Sequence, residues 1–173
     1  MSGESSTRRL FFACWPDSAM REEIIKRRQL ISGTSRRQVP DHNLHLTLLF
    51  LGNQPADRLA DICSAADSIR NAEFSWHLDR FGWFPGARVA WLGGVANKPS
   101  RSLVRGLVSS MRSLDLRFDE RAFVPHITLF RQVARQPEFA ALPPLIWPIE
   151  SFSLIESIPA RPYQVLRTWP LKL

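Results

Sequence analysis

Two cysteines, one tyrosine, three lysines and three methionines are all that this chain of 173 residues holds of those types. Two thiols cannot build a disulfide framework. Cys14 lies in an apolar run and Cys63 at a helical apolar position, so both read as small core residues in a reducing, cytoplasmic setting. Long hydrophobic runs are missing as well. Leu48-Leu49-Phe50-Leu51 is among the longest strictly apolar ones, far short of the roughly 18 residues of a membrane span, and a soluble protein is expected. The opening MSGESSTRRL is polar, and the apolar stretch that follows it, Leu10 to Trp15, is brief for a signal-peptide core, so secretion is not expected. No acidic tract or low-complexity block is present, which excludes wholesale disorder.

What the chain has in quantity is arginine. Arg supplies 20 of the 23 cations, set against 16 acids, for a net charge of +7. A planar guanidinium suits phosphate, so an anionic partner is the natural expectation. With 45% apolar residues and no compositional boundary, residues 1–173 read as a single domain.

The hydrophobic pattern alternates between strands and helices. Residues 9–15 (RLFFACW) read as a buried first strand ended by Pro16-Asp17. A helix follows, capped by Asp17 or Ser18, with Met20, Ile24 and Ile31 on one face and Gly33 as its stop. Apolar stripes predict two more helices, about 56–70 (Leu59, Ile62, Cys63, Ala66, Ile69) and about 101–115 (Leu103, Val104, Leu107, Val108, Met111, Leu114). Strands are expected at 44–51, 74–80, 88–92, 126–131, 149–155 and 163–169. The 13 prolines, clustered outside these elements, mark short loops. These elements fit an α/β sandwich with a mixed sheet and at least two helices on its outer faces.

One pattern carries chemistry. Asn43-Leu44-His45-Leu46-Thr47-Leu48 returns as Val124-Pro125-His126-Ile127-Thr128-Leu129, with the two histidines 81 residues apart, close to half the chain. On a strand, residues i and i+2 share a face. His45 with Thr47, and His126 with Thr128, therefore point one way, and the apolar residues between them point into the opposite layer. Two such strands side by side would line a cleft with two imidazoles and two hydroxyls. A neutral imidazole can take a proton from water while a charged one donates to a leaving oxygen, and the threonine hydroxyls can hold non-bridging phosphate oxygens between them. Arg131, five residues past His126, has the wrong parity for that face and needs a strand end or a bulge to join it.

The segments around these motifs, 9–13 (RLFFA), 43–52 (NLHLTLLFLG), 88–93 (RVAWLG), 125–131 (PHITLFR) and 163–170 (YQVLRTWP), run almost end to end. In this order and spacing the chain resembles the two-histidine phosphoesterase superfamily, and within it the RNA 2′,3′-cyclic phosphodiesterases, also called 2′-5′ RNA ligases. The resemblance implies a duplicated α/β (α+β) fold. Its two pseudo-symmetric lobes have mostly antiparallel sheets flanking a central cleft, with helices on the outer faces. It implies metal-free, cofactor-free opening of 2′,3′-cyclic phosphate ends of RNA to 2′-phosphates, with tRNA fragments among the candidate substrates, by a monomer that needs no membrane. By that analogy His45 is the proton donor and His126 the proton acceptor; Thr47, Thr128, Arg131 and the first-strand aromatic Phe12 bind substrate. Ligation of RNA halves, or RNA binding without catalysis, are the alternative functions. Two departures bear on substrate fit: Leu49 stands where many relatives carry Lys, and the loop 157–162 lacks a glycine common among them.

Other residues read more plainly. His42 and His77 are expected at the surface or in loops, because acids and thiols at metal-ligand spacing are missing around them. Trp15, Trp91 and Trp169 sit in strand-like runs and are the first core picks. Most of the aromatics are expected in the core, with Trp83 and Phe84 beside Arg88 as the alternative, a stacking surface for a base. Lys26-Arg27-Arg28 and Arg36-Arg37 read as solvated helix ends and loops, or as a track for an RNA backbone.

Overall fold

The computed structural model describes residues 6–173. The first half of the chain runs β1 (Thr7–Cys14), α1 (Ser18–Arg28), β2 (Ile31–Ser32), β3 (Arg37–Gln38), β4 (Leu46–Pro55), α2 (Leu59–Ala66) and β5 (Phe74–Leu78). The second half runs β6 (Arg80–Phe84), β7 (Val89–Gly93), α3 (Lys98–Arg112), β8 (His126–Arg131), β9 (Glu138–Phe139), β10 (Leu145–Ile149), β11 (Ser151–Ser157) and β12 (Gln164–Pro170).

The main sheet is ordered β12-β11-β1-β4-β8-β7-β6, with β3 added against β8. Every one of its pairings is antiparallel, so the mixed sheet expected from the interleaved helices is corrected. Helices between strands suggested parallel crossovers. Instead the chain returns from α1 through β2 and β3 before entering β4, which leaves β4 antiparallel to β1. The mostly antiparallel, helix-flanked fold implied by the resemblance is the one observed.

Alternation divides the sheet into two faces. Leu10, Phe12 and Cys14 join the main core with Ile24 of α1, Ile62 of α2 and Leu103, Leu107 and Met111 of α3. Phe11 and Ala13 point the other way and meet Ile155, Trp15, Phe50 and Tyr163 in a smaller cluster. Helix α1 starts where the capping argument put it, with Asp17 Oδ1 accepting from the Met20 N–H at 2.8 Å. It ends at Arg28, well before Gly33, because residues 31–32 pair with 138–139. Helix α3 begins earlier than its apolar stripe, capped by Asn97 with Pro99 in the first turn.

Lys26-Arg27-Arg28 was read as a solvated end or an RNA track, and for two of the three residues both readings are corrected. Arg27 donates to Glu23 and to the carbonyls of Pro143 and Pro144, and Arg28 donates to the Val39 carbonyl and to Asp41. Both guanidiniums are buried tethers that tie α1 to distant loops.

The β6–β7 ladder places Gly82 opposite Trp91, and a Cβ built on Gly82 would sit 2.0 Å from that indole. Gly82→Ala is expected to destabilise the protein by about 1–3 kcal/mol through overpacking. Denaturant unfolding checks this, and wild-type stability in the variant contradicts it.

Candidate active site

The two halves of the main sheet meet at a single ladder position, Leu46 on β4 opposite Ile127 on β8. Each of these residues is the apolar x of a His-x-Thr motif. Antiparallel counting from that pair sets His45 toward Thr128 and Thr47 toward His126. Both motifs therefore converge at the seam where the halves of the chain join.

Each histidine is held in the same way. His45 Nδ1–H donates to the Asn43 carbonyl at 2.7 Å, and His126 Nδ1–H donates to the Val124 carbonyl at 2.7 Å. A carbonyl can only accept, so Nδ1 carries the proton in both neutral rings and Nε2 is the basic nitrogen. In the first motif Nε2 accepts from the Thr47 hydroxyl at 2.9 Å. Aromatic rings fix the imidazole planes. Trp15 stacks on His45 at 5.6 Å with 13° between planes, and Phe11 and Tyr163 close in at 4.9 and 5.4 Å. Phe84 meets His126 edge-on at 5.1 Å, with Trp91 at 6.2 Å.

Bulges bring the remaining groups to this face. In the β7–β8 ladder Ala90 pairs with Phe130 and Trp91 with Thr128, which leaves Leu129 as an extra residue. That insertion shifts the parity, so Arg131 lines the same cleft as His126 and Thr128. In the β1–β4 ladder Phe12 pairs with Leu49 and Ala13 with Thr47, leaving Leu48 as the extra residue. Leu48 and Leu49 are both buried in the core, and Phe50 comes round to the cleft beside Thr47.

The cleft has a volume of about 420 Å³, and among the described residues no carboxylate lines it. Burial, with the charges of Arg131 and His126 adding to it, pushes the His45 imidazole down to about 4 against the pull of the Asn43 carbonyl. His126 is also held below the ordinary histidine value, first by burial and then by Arg131, with the Val124 carbonyl opposing. Two neutral imidazoles beside an unneutralised guanidinium make a site that gains from a bound anion.

Residues 15–91 match the family of LigT-like phosphoesterases. The RNA 2′,3′-cyclic phosphodiesterase of Escherichia coli (strain K12) is 35% identical to this chain, over 96% of it and 98% of that protein. The chain belongs to the LigT-like phosphoesterases. The enzyme of the same name from Thermus thermophilus is 31% identical over 86% of this chain and 81% of its own. The fold agrees. A crystal structure of E. coli LigT complexed with 3′-AMP superposes with a TM-score of 0.84 at 32% identity, covering 97% of this chain and all of that one.

Within this LigT-like cleft the structure brings together His45, Thr47, His126, Thr128 and Arg131. It does not bring Phe12. That ring is fully buried, packed against Phe152 and Trp169 in the main core. Strand alternation gives the place to Phe11, one residue earlier. Trp15 and Trp91, expected in the core, flank the two imidazoles instead, and Trp169 alone of the three is core. The sequence reading missed Phe11, Tyr163, Arg9 and Phe50, although the parity rule that paired His45 with Thr47 would have separated Phe11 from Phe12. His42 and His77 are exposed, His42 at the rim of a neighbouring cavity; among the described residues no three His, Cys, Asp or Glu side chains converge as metal ligands. No helix among the described residues is long and apolar enough to cross a membrane.

Proposed function

We propose that this phosphoesterase hydrolyses the 2′,3′-cyclic phosphate at RNA ends to a 2′-phosphate by metal-free acid–base catalysis between His45 and His126. The matched clamps on the two histidines carry the reading: each Nδ1 is fixed on a backbone carbonyl, which leaves each Nε2 as the nitrogen that exchanges protons. Relatives spanning most of the chain bear the corresponding name.

In the proposed reaction His126 Nε2 takes a proton from water as the water oxygen bonds to phosphorus. The bond from phosphorus to the 3′ oxygen breaks, and that oxygen receives the Nε2 proton of His45. One water is consumed. The proton gained by His126 and the one lost by His45 re-equilibrate through solvent before the next turnover. His45 is pushed down to about 4 in the free protein, and the negative phosphodiester bound beside it opposes that depression and favours the protonated ring. Protonation makes Nε2 a donor and frees the Thr47 hydroxyl to donate to a phosphate oxygen. Thr128 and Arg131 hold the other side of the phosphate, and Phe11 and Tyr163 fix His45 in place.

With this function goes a single domain of two pseudo-symmetric lobes, supported by the repeated clamp, acting as a monomer on RNA ends that include tRNA fragments. Two unpaired cysteines support a reducing, cytoplasmic setting. Turnover of a 2′,3′-cyclic nucleotide is expected to be unchanged by EDTA. Activity that disappears in chelator and returns with a divalent metal would sink the metal-free reaction.

A further inference from the structure

Beyond His45 the cleft opens into a second cavity of about 500 Å³, between residues 37–43 and the loop 157–163. Arg37, Arg131 and Arg161 all line it, and among the described residues no acid does. The two acids nearest in sequence are already engaged, Asp41 by Arg28 and Glu156 by Arg8. Among the described residues none of the three arginines has an ion-pair partner.

Their placement is costly without an anion. Arg37 on β3 lies directly opposite Arg131 on β8 in an antiparallel ladder, and like charges so placed destabilise a sheet. Arg161 comes from a loop set in advance. Its N–H donates to the Ile158 carbonyl at 3.2 Å, the Tyr163 N–H donates to Asn43 Oδ1 at 3.1 Å, and Ala160 is held at a φ of 59°. The opposite end of the cleft differs. There Arg112 and Arg121 are neutralised by Glu120 and Asp119 beside an apolar groove.

We propose that the cavity is a second phosphate subsite, in which Arg37 and Arg161 hold the phosphodiester on the 5′ side of the terminal nucleotide and favour oligonucleotide ends over cyclic mononucleotides. This inference rests on the phosphodiesterase reading. In such a substrate the cyclic phosphate occupies both the 2′ and 3′ oxygens, so the next negative charge along the chain is the phosphate on the 5′ oxygen. A guanidinium pair suits it, whatever the base.

The test compares kcat/KM for a nucleoside 2′,3′-cyclic phosphate, a dinucleotide ending in the same group, and that dinucleotide with an uncharged methylphosphonate linkage. The wild type is expected to favour the charged dinucleotide by roughly tenfold or more, chiefly in KM, as hydrogen bonds to a charged group imply. The preference is expected to vanish with the methylphosphonate and to weaken with added salt. Arg37→Gln and Arg161→Gln each reduce it while leaving the mononucleotide rate unchanged. Both side chains are exposed, and the methylphosphonate arm needs no altered protein. Equal kcat/KM on all three substrates overturns the subsite and leaves the phosphodiesterase reading standing. No turnover of any of them overturns both.

Discussion

His45→Ala and His126→Ala are each expected to lower turnover of a 2′,3′-cyclic nucleotide by roughly 10² to 10⁴, the usual worth of one positioned acid or base. The double variant should be little worse than the poorer single one, because the two imidazoles serve one displacement and residues acting as a unit are not additive. Thr47→Ala and Thr128→Ala should cost less, near ten- to a hundredfold, if each hydroxyl gives about 1.5–3 kcal/mol to a charged oxygen. All four side chains line the cleft and lie outside the packed core, so far-UV circular dichroism should show folded protein throughout. Full activity in His126→Ala beside loss in His45→Ala would mean that the second motif is structural.

Arg131→Met is expected to lower kcat/KM by roughly 10² to 10³, the range for removing one donor to a reacting oxyanion. A second effect distinguishes charge from simple damage. Arg131 depresses both histidines, so its removal stabilises each imidazolium and raises both values. The protonated forms then survive to higher pH, and the whole pH profile of kcat/KM should move upward. A variant that loses rate with no such movement would mean that Arg131 acts on substrate position alone.

The parts of this account most legible in the sequence are those set by local period. The repeat of His-x-Thr with apolar spacers placed Thr47, His126 and Thr128 on strands and His45 at the entry to β4, apolar stripes located α2 and α3, and the Asp17 cap marked the start of α1. Long-range pairing was less accessible. Strand β10 is not legible because Pro143, Pro144 and Pro148 read as loop, yet among the described residues β10 pairs only with β5, and an edge strand tolerates proline on its free side. Arg131 reached the cleft through a bulge at Leu129 that no alternation rule reveals from one strand alone, because a bulge is defined by its partner. Phe12 was mistaken for Phe11 for a different reason. The resemblance points only to an aromatic of the first strand, and which of two neighbouring rings faces the cleft is set by strand parity, which buries Phe12 in the main core. Arg27 and Arg28 looked like surface charge because their acceptors, the carbonyls of Pro143, Pro144 and Val39, lie on distant loops.

If two imidazoles in opposite protonation states act on one phosphate, the pH dependence of kcat/KM in the presence of EDTA must show both. That profile reports the free enzyme. His45 is pushed down to about 4 and His126 is held below the ordinary value. Below both values each ring is charged and no base remains; above both, each is neutral and no acid remains. A bell is expected, with its maximum on the acid side of about 6.5, the unperturbed histidine value, and both limbs missing from a double alanine variant. A rate independent of pH between about 4 and 8 would contradict it.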